Sequence, residues 1–214
     1  MAIKPILFNT EMVRAILEGR KSCTRRLVKP QPDEKHTYPL GFVTDSTEKK
    51  EVGCFGFAAN EYGGSIQYVK PPYRYAPGDI LYVRETWKKA TNGYYYYEDW
   101  QRNDIADVTK WKPSIHMPKE AARIWLKVID VRVERLQEIS EDGAVKEGIY
   151  VANCKDCNAP FGCDACPDEG YNEIDEFVEL WNITVKKSDI DRYGWDANPW
   201  VWVIEFERCE KPEE

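Results

Sequence analysis

Four cations surround three potential nucleophiles in the stretch EGRKSCTRRLV, residues 18–28. The cations are Arg20, Lys21, Arg25 and Arg26, and the potential nucleophiles are Ser22, Cys23 and Thr24. A threonine hydroxyl attacks a carbonyl when a base accepts its proton, and a lysine is a base only in its neutral form. Neighbouring positive charges and partial burial both lower the pKa of a lysine, which favours that form. The stretch therefore contains the residue types of a base and of a hydroxyl nucleophile, together with arginines suited to anchor an anionic or carbonyl-bearing substrate.

The same stretch has a second interpretation, because clusters of basic residues are often solvated loop cations without a chemical role. Cys23 lies inside the motif, but neither of the two histidines of the chain has the spacing of a catalytic partner. We therefore interpret Cys23 as a packing residue.

The composition limits the partners that the chain can bind. Its 214 residues are enough for one sizeable domain, and its formal net charge is -7 at pH 7. An acidic chain does not coat nucleic acid or anionic membrane non-specifically, so any contact with nucleic acid must be local. No run approaches the roughly 18 apolar residues of a membrane span, and the first residues lack the apolar core of a signal peptide. We expect a cytoplasmic protein that does not associate with membranes.

The motif is predicted to lie at a corner between a helix and a strand. Residues 12–17 have helical spacing, Asn9 or Thr10 can cap this helix, and Gly19 suits its C-terminal end. The segment that follows the corner is predicted to be extended up to Lys29, because Pro30 disfavours a helical conformation at the preceding residue. Thr24 should therefore lie near the start of a strand.

The rest of the chain contains several strands and two short helices. The apolar patterns predict strands at 80–87, 94–97, 123–136 and 200–206, and helices after Ser140 and at 174–181. Residues 31–75 are rich in Pro, Gly, Thr and charged residues, which predicts long loops or a β-rich insertion. Strands without strict alternation with helices favour a small mixed or antiparallel barrel with peripheral helices.

Several separated pieces resemble one family in order. They are ILEGRKSCTRR after a short helix, PGDILYVRETW on a strand, VIDVRVERLQEISEDGAVKEGI from strand into helix, and NPWVWVIEFER at the end. Together they resemble the ASCH family, and the form with RETW and SIHMP is similar to members found in phage and prophage genomes. The resemblance implies an α+β fold, a small PUA-like β-barrel with peripheral helices. We expect one domain, 1–214, with a loop-rich insertion at 31–75 and a cysteine-rich loop at 150–172.

The family resemblance also implies functions. Short bacterial members hydrolyse the acetyl amide of N-acetylated cytidine, and Lys21, Thr24 and Glu147 occupy the positions of their catalytic lysine, threonine and glutamate. The resemblance thus implies an amidohydrolase acting on an acylated nucleoside or a related small amide. Other members bind RNA, so a non-catalytic module for short single-stranded RNA or a modified nucleotide is the alternative. The chain is about twice as long as the short hydrolases, and its extra segments could narrow the pocket.

Four further residues are candidates for substrate binding beside Arg20, Arg25 and Arg26. They are Arg84 and Glu85 in an otherwise apolar strand, Trp87 as a stacking residue, and His116 in the SIHMP piece. Arg84 and Glu85 have an alternative role as members of structural ion pairs, and a single loop histidine is usually only hydrogen-bonded.

Two CxxC pairs indicate a structural zinc site. Cys154 and Cys157 form the first pair, and Cys163 and Cys166 form the second after a five-residue spacer. Four thiolates suit tetrahedral zinc, although this spacer is shorter than in the usual zinc ribbon. Free thiols or an oxidised pair are the alternatives. Several acidic residues surround the loop, so we expect a structural role and no nucleic-acid contact.

The zinc hypothesis predicts about one zinc ion per chain. Replacing Cys157 and Cys163 by serine should abolish the metal content, which elemental analysis measures, and should lower the melting temperature. A protein purified under reducing conditions that contains no metal, and whose stability is unaffected by chelator, would contradict the hypothesis.

Overall fold

The fold is built on β-sheets, and several of the sequence motifs lie on their strands. A computed structural model describes residues 1–101, 110–150 and 173–213. The described strands are β1 Ile3–Leu7, β2 Cys23–Leu27, β3 Tyr38–Phe42, β4 Phe55–Asn60, β5 Gly63–Val69, β6 Ile80–Arg84, β7 Trp87–Ala90, β8 Gly93–Tyr96, β9 Trp125–Arg135 and β10 Trp200–Cys209. The described α-helices are α1 Thr10–Leu17, α2 Tyr97–Gln101, α3 Glu141–Lys146, α4 Glu173–Thr184 and α5 Ile190–Tyr193. The predicted mixture of strands and peripheral helices is confirmed.

The largest sheet has the strand order β1-β6-β9-β10-β2. β1 is parallel to β6, and the other neighbours are antiparallel, so the sheet is mixed. Its described strands form an open row in which β1 and β2 are the two edges. The edges nevertheless approach each other, because Arg26 Nη2 on β2 donates a hydrogen bond of 2.9 Å to Leu7 O at the end of β1. The sheet must therefore curl strongly.

The first half of strand β10, residues 200–204, is buried on both faces, which explains its continuous apolar sequence. Trp202 and Ile204 pack into the core on one face, and Val201 and Val203 pack into a second cluster with Phe177 of α4 on the other. Successive side chains of a strand point to opposite faces, so a strand covered on both sides has no polar face.

The segment 31–75 contains β structure. β3, β4 and β5 form an antiparallel sheet. Phe57 packs with its ring centroid 5.1 Å from that of Trp200, and Phe55 lies 6.0 Å from Trp202. This small sheet therefore covers one face of β10, as in the β-rich alternative of the two sequence interpretations.

Local signals near the motif are confirmed, whereas one predicted strand is divided. Asn9 Oδ1 accepts from Met12 N at 2.9 Å as the cap of α1, and Ser140 Oγ accepts from Gly143 N at 3.1 Å as the cap of α3. The single strand predicted at 80–87 is wrong. It is broken after Arg84, and β7 pairs with β8 in a separate two-stranded sheet. None of the described helices is both long and apolar enough to cross a bilayer.

Candidate functional site

A cavity of about 220 Å³ lies where the two edges of the large sheet meet. Its polar wall includes Lys21, Thr24, Arg25, Arg26 and Glu147, and its apolar wall includes Phe8, Phe177, Leu180 and Trp181. Typical small-molecule sites measure roughly 300–1,000 Å³, so this cavity takes a small molecule or one end of a larger one. The cavity thus brings the three residues proposed for catalysis into one place.

Lys21 and Glu147 form a buried ion pair at the bottom of this site. Lys21 Nζ lies 2.7 Å from Glu147 Oε2, and the two side chains are 1% and 7% exposed. The same Nζ donates to Cys23 O and to Glu147 O, each at 2.7 Å. An ammonium group has three N–H donors, so these three acceptors satisfy it completely.

Burial and charge act in opposite directions on Lys21. Burial lowers the pKa of Lys21 from its ordinary value, while the carboxylate of Glu147 raises it and Arg26 adds to the lowering. The net pKa of Lys21 is lowered. Deprotonation is therefore easier than for a solvated lysine, as required of a base.

Arg25 contacts the second carboxylate oxygen of Glu147. Arg25 Nη1 lies 3.4 Å from Glu147 Oε1, and Arg25 Nη2 lies 3.3 Å from Glu134 Oε2 on β9. The Arg25 guanidinium also stacks over the ring of Phe177, 5.9 Å from its centroid. Arg25 thus fixes the carboxylate that faces Lys21 and connects it to the sheet and to α4.

The backbone places Lys21 against Glu147 through two helix ends. Lys21 N donates to Ala15 O of α1, and Ser22 N donates to Lys146 O of α3. Lys21 and Glu147 also form an isolated antiparallel β-bridge. The corner at Gly19, whose φ is +78°, allows the chain to turn from α1 into this bridge.

Thr24 places a hydroxyl on the same polar wall, and Thr184, whose Oγ1 donates to Trp181 O, supplies a second lining hydroxyl. Thr24 lies opposite Ile204 of β10 and is 3% exposed. Its Oγ1 makes no hydrogen bond to any described residue, and none joins it to Lys21. Among the described side chains, Arg25 Nε and Trp87 Nε1 are the polar atoms that are fully buried without a hydrogen-bond partner. Thr24 Oγ1 also has no partner but is not fully buried, so it retains access to the cavity. The hydroxyl is therefore available to a ligand.

Cys23 is the other potential nucleophile of the motif, and its environment suppresses reactivity. The side chain is 2% exposed and packs in the core with Val203. Burial raises the pKa of the Cys23 thiol to about 12. The thiol is protonated at neutral pH and is inert as a nucleophile, which confirms the packing interpretation.

Five of the seven residues predicted to bind substrate are not among the described residues that line the cavity. Arg20 pairs with Glu18 at 2.6 Å and donates to Gly148 O. Arg84 donates to the carbonyls of Met117 and Ile115, and Glu85 forms an ion pair of 2.9 Å with Arg123.

Trp87 and His116 also lie away from the cavity. Trp87 packs with Met117 and Ala121 in a separate cluster, and His116 is exposed. The RETW and SIHMP pieces therefore build structure around β7, in line with the ion-pair alternative for Glu85. Arg25 and Arg26 do line the cavity.

Sequence reasoning missed the apolar wall. Phe8 follows β1, and Phe177, Leu180 and Trp181 lie on one side of α4. The spacing of the α4 residues is helical, but this pattern is equally typical of residues packed in a core. Nothing local in the sequence indicates that α4 faces Lys21.

The predicted metal ligands Cys154, Cys157, Cys163 and Cys166 lie outside the described residues. Within residues 1–101, 110–150 and 173–213, no group of three or more His, Cys, Asp or Glu side chains is arranged to hold a metal ion. The zinc site stays a prediction.

Comparisons with known proteins leave the cavity to be interpreted from its own geometry. No protein-family model, curated protein or solved structure matches the chain.

Gly148 is predicted to be essential to the Lys21–Glu147 contact. Its φ is +92°, and a Cβ at this position would lie 2.7 Å from Ala15 Cβ and 3.1 Å from Lys21 Cβ. Gly148→Ala should therefore displace the segment that carries Glu147. We expect the steric clash to lower the free energy of unfolding by about 2 kcal/mol, in addition to the loss that the strained backbone of alanine causes at a positive φ. Urea denaturation measures this difference.

Gly63→Ala is the matched control, because Gly63 has φ +94° and open space around its Cβ position. An equal loss of stability in both variants would contradict a steric role for Gly148.

Proposed function

We propose that this protein is an amidohydrolase that acts on an acylated nucleoside, such as N-acetylated cytidine, or on a related small amide. The observation that carries the proposal is the convergence of Lys21, Thr24 and Glu147 in one small cavity. Glu147 lies 126 positions from Lys21 in the sequence. A solvated loop cluster would not bury Lys21 and Thr24 to 4% and 3% exposure.

The proposed reaction begins at Thr24. Its Oγ attacks the acyl carbonyl carbon, and its proton passes to the neutral amine of Lys21. The C–N bond then breaks, and Lys21 gives the proton to the leaving nitrogen, which departs as the free amine. Water hydrolyses the threonyl ester, releasing the carboxylic acid and restoring the hydroxyl. One water is consumed for each amide.

Glu147 and Arg25 prepare Lys21 for this role. Glu147 accepts from Lys21 Nζ and is the nearest group to which the ammonium can pass its proton. Arg25 holds the other oxygen of Glu147 and so orients the carboxylate. Since no hydrogen bond joins Lys21 and Thr24, substrate binding must bring the two groups together, as is common for catalytic contacts in ligand-free sites.

The proposed fold relationship is a PUA-like barrel of the ASCH family, in the long form similar to phage members. The hydrogen bond from Arg26 to Leu7 O supports it, because this contact joins the two edges of the five-stranded sheet. The proposal also includes a cytoplasmic location and the structural zinc, both of which rest on the sequence.

A second candidate function is a non-catalytic module that binds a modified nucleotide or short single-stranded RNA. The observation that favours it is the saturation of Lys21 Nζ by three acceptors, because this arrangement suits a permanently charged ammonium. Aromatic rings and cations in the cavity would then bind a base by stacking and charge.

Thr24→Ala distinguishes the nucleophile from a bystander. We expect hydrolysis of N-acetylated cytidine to fall by at least ~10³-fold, because the attacking oxygen is lost. Thr24→Ser retains the hydroxyl and should keep part of the activity. Chromatographic measurement of cytidine release tests both variants, with circular dichroism as the control for folding. Equal activity of parent and Thr24→Ala would remove Thr24 from the mechanism and leave a water activated by Lys21.

Lys21→Arg separates the two candidate functions. A guanidinium keeps the charge but does not supply a neutral base, so hydrolysis by this variant should fall by at least ~10²-fold. A module that binds RNA by charge should still bind it after the substitution. In the parent, kcat/KM should rise with pH as Lys21 loses its proton, with a midpoint below the ordinary lysine pKa of 10.5, because burial lowers it. Lys29→Arg, at an exposed lysine, is the matched control. Unchanged hydrolysis in Lys21→Arg would exclude Lys21 as the base.

A further inference from the structure

The cavity wall is positively charged although the whole chain is acidic. Among the described lining residues, Lys21, Arg25 and Arg26 are cations and Glu147 is the carboxylate. The chain as a whole has 37 acidic and 30 basic residues. Cations gathered in an enclosed site of an acidic protein create a local field that attracts anions.

Arg26 differs from the other two lining cations because it lies beyond ion-pair distance of Glu147, although that carboxylate still raises the pKa of Arg26. Lys21 and Arg25 both contact Glu147, and these contacts use both of its carboxylate oxygens. Arg26 forms no ion pair with any described residue. Its Nη2 donates to Leu7 O, and its guanidinium lies over the Phe8 ring, 5.5 Å from the centroid.

Arg26 lines the cavity and retains donors that no described residue accepts from. A guanidinium has five N–H donors, and the protein uses Nη2 of Arg26. The fully buried polar atoms without a partner, among the described side chains, belong to Arg25 and Trp87 and not to Arg26. The N–H groups of Arg26 that have no partner are therefore open to a ligand. Burial lowers the pKa of Arg26, but a guanidinium stays charged at neutral pH.

We propose that Arg26 is a subsite for an oxyanion and that the natural substrate is an anionic acyl amide. A carboxylate or a phosphate group of the ligand would accept two parallel hydrogen bonds from the guanidinium. Within the acylated-nucleoside class, this selects a phosphorylated nucleotide over the neutral nucleoside. The choice of an amide rests on the proposed function, whereas the anion subsite requires only the cavity. Arg26 and Lys21 both lie over the Phe8 ring, each 5.5 Å from its centroid, so the proposed subsite is next to the catalytic residues.

Arg135 provides a matched control for this subsite. Its guanidinium also lies over an aromatic ring, 4.3 Å from the Trp200 centroid, and also donates to a backbone carbonyl, that of Asn198. It likewise forms no ion pair with a described residue, but it does not line the cavity. Arg26→Gln and Arg135→Gln therefore change charge and packing alike and differ in position.

The test is calorimetric titration of the full chain with inorganic phosphate and, separately, with acetate. We expect the parent to bind at least one of these anions with a Kd of about 1 mM, the scale of one bidentate charged contact. Arg26→Gln should weaken this binding by at least ~10-fold, and Arg135→Gln should leave it unchanged. Binding of phosphate, acetate or both supports the subsite and identifies the anion. Absence of binding to both in the parent, or equal binding in Arg26→Gln, overturns it.

Two further measurements complement the titration: the first uses the parent protein without any variant, and the second compares two substrates in the hydrolysis assay. Phosphate or acetate should shift the NMR signals of the Phe8 and Phe177 rings in the parent, and shifts confined to other aromatic residues would overturn the proposal. In hydrolysis assays, the 5′-phosphate of acetylated cytidine should have a kcat/KM at least ~10-fold above that of the nucleoside. Anion binding without hydrolysis of either compound would contradict the amidohydrolase and retain the subsite, whereas equal hydrolysis of both compounds would overturn the subsite alone.

Discussion

Lys21 and Glu147 are buried together, and burial of two opposite charges is stabilising only when every donor and acceptor is satisfied. Each charge loses its hydration, and leaving one of such a pair without its partner costs roughly 3–5 kcal/mol. Here Lys21 Nζ has two carbonyl acceptors besides the carboxylate, and Arg25 holds the second carboxylate oxygen. These contacts require the end of α1, the start of β2 and the end of α3 to meet at one point. The geometry of the cavity therefore depends on this ion pair.

The large sheet supplies the rigid support for that meeting point. β2 is an edge strand, and an edge strand is held by fewer backbone hydrogen bonds than an inner one. Its inner neighbour β10 is packed on both faces, by Trp202 and Ile204 on one and by Val201 and Val203 on the other. β2 is thus aligned by a strand whose first half packs on both faces, while its free side lines the cavity. This placement combines a precise position for Thr24 with access for a ligand.

Sequence predicted the parts of this arrangement that depend on neighbouring residues. The caps Asn9 and Ser140 and the long strand β9 follow from local hydrogen bonding and alternation. Lys21, Thr24 and Glu147 were grouped by a family resemblance, and no spacing rule brings residue 147 to residue 21.

The parts that sequence did not predict depend on contacts between distant segments. The strand predicted at 80–87 is divided because Glu85 turns to Arg123, 38 positions away, and its N–H meets Met117 Sδ. The helical pattern of α4 is the same whether Phe177 and Trp181 face a core or a cavity. The role of Arg25 as the support of Glu147 also requires Glu134 and Phe177, which only the tertiary structure brings close.

Arg26 and an anion bound to it have opposite effects on the protonation of Lys21. Arg26 favours the neutral form of Lys21, because two positive charges in one site repel each other. An oxyanion bound to Arg26 would cancel that repulsion and favour the ammonium, which is the form that binds but does not accept a proton. A hydrolase with an anionic substrate therefore needs a carboxylate that can take the proton from Lys21, and Glu147 is in contact with it at 2.7 Å. A binding module has no such requirement, since a permanently charged Lys21 would simply add to the attraction for the anion. The Lys21–Glu147 contact is compatible with both functions, and what separates them chemically is whether the proton on Lys21 can move.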